Sequence, residues 1–285
     1  MMRRIRTAWS ALLVSAAVAV SVWTVSSHAQ TPVALFGFEV LDKRPHPREN
    51  FVQGLEIHGD ALYVGTGGYG ESRLREYEFT SMQLRRDYAL PEVFFGEGIT
   101  RLGDRIYQLT WRAGVGLIYD LDNFAPLGHW PLKTQGWGLT NNGTELIYGD
   151  GSDRLFFAAP DALENPRVVA VTLNGQPLGR LNELEWIDGS IWANVWGANQ
   201  LVRINPSSGE VNAIADLRGL LPEQEYQADT NVLNGIAFDR ANDAFWVTGK
   251  RWPWLYRIAL KPLPAPANPT ADESASQPPA AGQSR

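Results

Sequence analysis

One carboxylate in an unusual setting is the first candidate for chemistry in this sequence. Glu97 lies between Gly96 and Gly98, directly after two phenylalanines. Glycines let other groups approach the backbone closely, and the phenylalanines make the surroundings apolar. A charged side chain in apolar surroundings is costly unless it is paired or used. The pattern indicates either a catalytic acid–base group or a carboxylate that caps a turn or pairs with Lys250.

The turn at Gly98 belongs to a weak internal repeat. A glycine or glutamate followed by Leu or Ile recurs at positions 54, 98, 138, 183 and 235, at intervals of 40 to 52 residues. After each copy come a short polar turn, an apolar strand and a third strand. Repeats of this length, with three or four short strands each, are typical of β-propeller blades. The sequence therefore predicts an all-β fold, a five-bladed β-propeller, and disfavours a β-sandwich, whose strands need not repeat.

The two ends of the repeat array are expected to meet. The last unit ends after its third strand near Leu260, whereas an unassigned strand over residues 35–41 precedes the first unit. Pairing of this N-terminal strand with the last unit would supply the missing fourth strand and protect the open edges. We therefore expect the N-terminal strand to close the last blade.

The repeat brings distant polar and aromatic residues to one predicted opening. In a propeller the innermost strands line a central channel, so residues at the starts of these strands lie close together. The residues at those starts are Gln53, Glu97, Trp137, Asn182 and Asn234, and the second strands end at Trp111, Asp150, Trp196 and Lys250. Apolar walls with a few convergent polar groups are typical of ligand sites. As alternatives, the indoles could fill the core between blades, Asn182 and Glu183 could bond neighbouring loops, and Asp150 could form an Asx turn.

Both ends of the chain are expected to lie outside the folded domain, which we predict over residues 30–261. Residues 1–29 combine a basic start, an apolar stretch and a small-x-small pattern, which indicates a secretory signal peptide rather than a lasting membrane span. We expect a periplasmic or secreted monomer whose mature chain begins at Gln30, a residue that could itself cyclise. Residues 262–285, rich in Pro, Ala and Ser, predict a disordered tail.

Charge and composition exclude several classes of function. The net charge of −6 argues against a nucleic-acid partner. The absence of cysteine excludes disulfides, a thiol nucleophile and a thiolate metal site. The histidines lack the paired spacing of metal ligands, and no G-x-S-x-G motif marks a serine nucleophile. No cofactor is expected, although carboxylates and amides leave a structural Ca²⁺ ion in the channel open.

Eight short motifs, in order, are similar to those of one known family. They read FVQGL at 51–55, GTGGYG at 65–70, FGEGIT at 95–100, GWGLT at 136–140, LNELE at 181–185, WANVW at 192–196, VLNGIA at 232–237 and VTGK at 247–250. Over residues 36–260 the chain resembles the plant-type and bacterial glutaminyl-peptide cyclotransferases. Val52, Gly68 and Glu71 depart from the usual motifs, which bears on the rim of the site rather than on the acid–base group.

The resemblance implies a fold, a reaction and a set of site residues. The fold is a five-bladed propeller, and the reaction converts an N-terminal glutaminyl residue of a peptide or protein to pyroglutamate with release of ammonia, without catalytic zinc. The implied catalytic residues are Glu97, Lys250, Gln53 and Asn182, and the implied substrate-binding residues are Phe51, Trp111, Trp137, Trp196 and Glu183. Glu97 would be the general base and then the general acid.

Two other classes of function stay open on the sequence alone. One is a non-catalytic propeller that binds peptides or sugars through its Trp-lined mouth. The other is a Ca²⁺-dependent, lactonase-like propeller.

Overall fold

The computed structural model describes residues 32–264 of the chain. The predicted signal peptide, Gln30 and all but three residues of the predicted tail lie outside this range. Within it, regular structure is almost entirely β-strand, and the one helix is a 3-10 turn at Glu223–Glu225. The prediction of an all-β fold is confirmed. No helix among residues 32–264 has the length and apolar character needed to span a membrane.

The strands form successive antiparallel units that follow the sequence repeat. After β1 (Ala34–Pro45), the first unit contains β2 (Val52–His58), β3 (Ala61–Thr66), β4 (Arg73–Glu78) and β5 (Leu84–Ala89). The second contains β6 (Gly96–Leu102), β7 (Arg105–Thr110), β8 (Val115–Asp120) and β9 (Pro126–Pro131). The third contains β10 (Leu139–Asn141), β11 (Leu146–Gly149), β12 (Arg154–Ala158) and β13 (Arg167–Ala170).

A small hairpin separates the third unit from the fourth. It consists of β14 (Thr172–Leu173) and β15 (Gln176–Pro177). The fourth unit contains β16 (Leu181–Ile187), β17 (Ser190–Val195), β18 (Gln200–Ile204) and β19 (Val211–Asp216). The last contains β20 (Leu233–Asp239), β21 (Ala244–Gly249) and β22 (Trp254–Pro262).

The N-terminal strand β1 supplies the fourth strand of the last unit. It pairs antiparallel with β22, from Phe36 opposite Pro262 to Pro45 opposite Trp254. It also pairs in parallel with β19, so the last two units share one eight-stranded sheet. β1 is longer than the strand expected at 35–41. The N–H of Leu263 donates to the carbonyl of Leu35, so regular bonding extends past the boundary expected at residue 261.

The first strands of the units lie side by side, and the last contacts the first. In order, β2, β6, β10, β16 and β20 each contact the next, and β20 contacts β2. The repeat glycines lie at these contacts. A Cβ on Gly54 would lie 2.4 Å from the Ile99 nitrogen, and one on Gly138 would lie 1.8 Å from the Asn182 carbonyl oxygen. The glycine spacing in the sequence therefore reflects the close approach of neighbouring first strands.

The apolar core is divided into clusters between neighbouring units. Leu55 and Val64 of the first unit pack with Trp246 and Leu255 of the last. Similar clusters lie between the second and third units and between the third and fourth. Because the chain has no cysteine, burial of these side chains is the main source of its stability.

Candidate active site

Glu97 is a buried carboxylate near the start of β6. Only 4% of its surface is exposed. A Cβ on Gly96 would lie 2.7 Å from the Thr66 carbonyl oxygen, so position 96, next to Glu97, has no room for a side chain. The Nε2 of Gln53, on β2, donates a hydrogen bond to Glu97 Oε1 at 3.1 Å. The carboxylate therefore has one polar neighbour that supports its charged form.

Burial and charge act in opposite directions on Glu97. Burial raises the pKa of Glu97 well above its usual value, and the nearby Lys250 cation opposes that rise. Burial also lowers the pKa of Lys250 to about 8, and Glu97 opposes that fall. A carboxyl group with a raised pKa can both accept and return a proton close to neutral pH. Lys250, which follows β21 directly, has its Nζ 4.9 Å from the ring centroid of Phe51.

Irregular strand pairing re-aims the polar residues of the first strands. The pairing register with the second strand shifts between Val52 and Gly54, between Gly96 and Ile99, between Leu181 and Leu184, and between Leu233 and Ile236. These shifts contain, respectively, Gln53, Glu97, Asn182 with Glu183, and Asn234. Bulges of this kind leave residues out of the ladder and turn their side chains. In four of its five copies, the repeat at positions 54, 98, 138, 183 and 235, together with the residue before each, lies at this bulge.

One aromatic wall runs from Phe51 to Trp111. The ring centroids of Phe51 and Phe95 are 6.2 Å apart, and those of Phe95 and Trp111 are 5.4 Å apart. Tyr69, which is exposed, packs edge-on against Phe95 at 5.5 Å. A Cβ on Gly67 would lie 2.2 Å from the Phe95 ring, so this glycine makes room for the wall.

The three predicted tryptophans lie in one connected group. The Oε1 of Gln135 accepts hydrogen bonds from the indole N–H groups of Trp111 and Trp137, at 2.8 and 3.3 Å. The rings of Trp137 and Trp196 are 6.3 Å apart, and Trp196 is partly exposed. Sequence reasoning missed Gln135, because a single exposed amide before the Gly-Trp motif carries no signal of its own.

Asn182 and Asn234 are both buried, and the Oδ1 of each has no hydrogen-bond partner among residues 32–264. Asn234 Nδ2 donates to the Val52 carbonyl at 3.0 Å and to Gln53 Oε1 at 3.3 Å. A buried acceptor without a partner is unusual in a folded protein. Asn182 therefore retains capacity to bind a ligand donor.

Glu183, predicted as a substrate-binding residue, contacts main-chain groups of two other units. It is completely buried, with its Oε1 accepting the N–H of Leu55 at 3.2 Å and its Oε2 accepting the N–H of Ile236 at 2.7 Å. Main-chain groups of the first and last units thus use both oxygens. These bonds fit the alternative in which Glu183 connects neighbouring units, and its contact with substrate stays a prediction. Burial, followed by the charge of Glu185, raises the pKa of Glu183 well above its usual value.

Asp150 lies in a turn with Ser152. Asp150 Oδ1 accepts the N–H and the hydroxyl of Ser152, at 3.0 and 2.5 Å, which is the Asx turn considered as its alternative. Within the described range, no three His, Asp or Glu side chains are grouped in a way that could hold a metal ion.

A separate cavity of about 580 Å³ lies at the turns between the first and second strands. Its lining includes Glu56, Arg101, Glu185 and Arg240. None of the residues predicted for the site contributes to it. The predicted site therefore lies at the bulges, away from this cavity.

Comparisons with known proteins cover most of the chain. The family model described as glutamine cyclotransferase matches residues 12–260. A glutaminyl-peptide cyclotransferase of Arabidopsis thaliana is 37% identical over 231 residues, which are 78% of this chain and 71% of that protein. The crystal structure of Myxococcus xanthus glutaminyl cyclase matches with a TM-score of 0.75 and 30% identity, over 81% of this chain and 100% of that one. A chain of the nidogen/laminin complex, 12% identical with a TM-score of 0.50 over 70% of this chain and 73% of that one, shows a likeness of fold alone.

Proposed function

We propose, from the premise that this chain belongs to the glutamine cyclotransferase family, that Glu97 transfers the protons in its reaction. The chain is a glutaminyl-peptide cyclotransferase, which converts the N-terminal glutaminyl residue of a peptide to pyroglutamate and releases ammonia. The observation that carries the proposal for Glu97 is its buried carboxylate, bonded to Gln53 and close to Lys250.

The reaction needs two proton transfers at neighbouring atoms. The substrate α-amine attacks the carbon of its own γ-carboxamide, which forms a new C–N bond and a tetrahedral intermediate. Collapse of the intermediate breaks the bond to the original amide nitrogen, which leaves as ammonia. Glu97 takes a proton from the attacking amine and then gives it to the departing nitrogen, so the enzyme ends as it began. A raised pKa suits both steps.

Three polar groups are proposed to stabilise the intermediate. Its oxygen carries negative charge, for which the Lys250 cation and the amide donors of Gln53 and Asn182 are candidates. Gln53 uses one N–H on Glu97 and retains a second. Loss of one such donor typically slows turnover roughly 10²- to 10³-fold.

The aromatic residues are proposed to hold the substrate in a folded conformation. Phe51, Trp111, Trp137 and Trp196 would pack on the glutaminyl side chain and its neighbours. Since ring closure joins two groups of one molecule, correct positioning supplies much of the rate. This mechanism needs no metal ion or other cofactor, and we expect activity to persist in the presence of a chelator.

The proposed architecture is a five-bladed propeller closed by β1. Its support is the set of five four-stranded units, counting β1 with β20 to β22, and the contacts that connect their first strands in a circuit. We further propose a monomer exported by a signal peptide over residues 1–29 to the periplasm or outside the cell. The folded domain, expected over 30–261, extends to Leu263, where regular bonding ends, and the tail follows it.

The test of the proposal is Glu97→Gln, assayed by ammonia release from a Gln-initiated peptide. We expect kcat to fall at least about a hundredfold, because general acid–base catalysis contributes roughly 10²- to 10⁴-fold. Glu92→Gln is the matched control, since Glu92 is exposed and only five residues away. Turnover in Glu97→Gln close to that of the control would remove Glu97 from the mechanism.

A further inference from the structure

Asn234 is connected to Glu97 through Gln53. Asn234 is fully buried in the bulge at the start of β20. Its Nδ2 donates to Gln53 Oε1 at 3.3 Å, and Gln53 Nε2 donates to Glu97 Oε1 at 3.1 Å. The same Nδ2 also donates to the Val52 carbonyl at 3.0 Å, which fixes the direction of the Asn234 amide. The three residues come from three successive first strands, β20, β2 and β6.

We propose that Asn234 is a positioning residue that holds the Gln53 amide with its N–H towards Glu97. A glutamine amide has an acceptor on one side and donors on the other, and rotation about χ3 can exchange the two. With its amide flipped, Gln53 would place its oxygen against the Glu97 carboxylate, and its NH₂ group would face the NH₂ group of Asn234. Asn234 therefore makes the productive orientation the stable one.

The consequence for catalysis follows from the bond that Glu97 would lose. A donor to the carboxylate favours its charged form, so loss of the Gln53 bond raises the pKa of Glu97. Lys250 is the charged group of the described residues that acts on Glu97, and it is unchanged in the variant. The effect is on proton transfer and not on the aromatic contacts with substrate. This inference rests on the proposed role of Glu97.

The test is Asn234→Leu in the full-length protein, with pH profiles of kcat/KM for a Gln-initiated peptide. We expect kcat to fall about 10- to 100-fold, KM to change less than about threefold, and the acid limb to move to higher pH. Asn194→Leu is the matched control. Asn194 Oδ1 accepts the N–H of Gly235 at 2.9 Å, so this variant disturbs the same bulge without touching Gln53. An equal shift of the acid limb in the control would overturn the inference.

A double variant keeps the proposal testable if the single variant is poorly folded. Because Asn234 acts through Gln53, the Gln53→Leu/Asn234→Leu protein should turn over no more slowly than Gln53→Leu alone, with both measured per folded molecule. Multiplied losses would overturn the inference. An active wild type with an unaffected Asn234→Leu variant would contradict this inference only, whereas a wild type that releases no ammonia would contradict the proposed function.

A second inference comes from two arginines on the aromatic walls. The Cζ of Arg112 lies 3.8 Å from the ring centroid of Trp111, and that of Arg180 lies 6.0 Å from the ring centroid of Trp196. Both arginines are exposed, and neither forms an ion pair with any residue between 32 and 264. By contrast, Arg251 forms ion pairs with Glu71 and with Asp229.

We infer that Arg112 and Arg180 favour peptide substrates with an acidic residue shortly after the N-terminal glutamine. The glutaminyl residue must reach the buried Glu97, so the following residues pass the partly exposed walls that carry these two cations. Arg112 and Arg180 place two cations on these walls in a protein of net charge −6. A carboxylate is the group whose geometry matches a guanidinium. This inference also rests on the proposed function.

The test compares kcat/KM for amidated peptides that begin Gln-Glu, Gln-Gln or Gln-Lys. Because exposed ion pairs are weak, we expect the wild type to prefer Gln-Glu over Gln-Lys by about three- to tenfold, and less at high salt. Arg112→Met/Arg180→Met should bring the ratio close to one, since Met removes the charge and keeps an apolar stem.

The control for the arginine pair is Arg167→Met. Arg167 is exposed and stacks on Phe157 at 4.0 Å, on β13 and away from the aromatic walls. It should leave the preference as in the wild type. An unchanged preference in the double variant, or none in the wild type, would overturn the inference. Failure to release ammonia from the Gln-Gln peptide would instead count against the proposed function.

Discussion

At the scale of single residues, the proposed site contains two buried groups of opposite charge that shift each other's pKa. Glu97 and Lys250 are each 4% exposed, so both lose most of their hydration. Burial drives each towards its neutral form, and the partner's charge drives it back. The balance leaves a carboxyl group that exchanges protons more readily near neutral pH than an exposed glutamate does.

This balance predicts the effect of Lys250→Met. Removal of the cation that lowers the pKa of Glu97 raises that pKa further, so the acid limb of kcat/KM should move to higher pH. The loss of a positive charge near the intermediate should also lower kcat about 10²-fold. The substrate amine titrates identically in both assays, so the difference between them reports the enzyme. Lys133 is exposed, so Lys133→Met is the control and should change neither kcat nor the acid limb of kcat/KM. An acid limb that stays in place in Lys250→Met would contradict the coupling between Lys250 and Glu97.

The sequence predicted Glu97, Lys250 and Gln53 as catalytic residues, because the repeat and the ordered motifs mark their positions, and these roles stay predictions. It could not identify the partners that orient them. Asn234 meets Gln53 across 181 positions of chain, and Gln135 joins two indoles, through side-chain orientations that no spacing encodes. Glu183 was predicted as a substrate contact, and its two main-chain donors became visible only once neighbouring strands were placed.

At the scale of elements, the same kind of bulge recurs in four of the first strands and contains the polar residues of the proposed site. In four of the first strands the register shifts at the repeat tripeptide, which takes Gln53, Glu97, Asn182 and Asn234 out of the ladder. The sequence predicted the strands from apolar runs that recur after each repeat, but a register shift leaves no apolar pattern. The repeat could therefore be recognised in the sequence, whereas the register shift that it marks could not be predicted.

The pairing of β1 with β22 predicts that deletion of residues 34–42 will unfold the protein. Deletion would expose the edges of β22 and β19, which β1 now pairs, and would uncover apolar residues that Phe36 and Phe38 pack against. We expect loss of the cooperative thermal transition, measured by circular dichroism. Deletion of residues 265–285 is the control and should leave the transition in place. A folded protein without β1 would show that this strand is dispensable.

At the scale of the whole molecule, the buried carboxylate of Glu183 and the half-buried carboxylates of Glu56 and Glu185 connect different units. Glu183 of the fourth unit accepts hydrogen bonds from main-chain N–H groups of the first and last units. Glu56 of the first unit accepts one from the N–H of Arg101 in the second, and Glu185 of the fourth accepts one from the N–H of Phe238 in the last. These bonds satisfy main-chain donors left free where first strands face one another. Burial is the largest cause of a raised pKa in all three carboxyl groups, to about 7 in Glu56.

The raised pKa of Glu183 gives stability a defined pH dependence. The folded protein holds the proton more tightly than the unfolded chain, so this contribution to the free energy of unfolding is complete below about pH 4.5 and is lost as pH rises through the folded pKa. Glu183→Gln removes the titration but turns an NH₂ group towards one main-chain donor, which costs about 1–3 kcal/mol. The variant should therefore be less stable than wild type at pH 5, and the gap should narrow towards pH 9. Urea unfolding at both pH values, with Glu92→Gln as the exposed control, measures this difference. A gap that stays constant or widens would mean that Glu183 is ionised in the folded protein at every pH tested, and that its two main-chain bonds outweigh its burial.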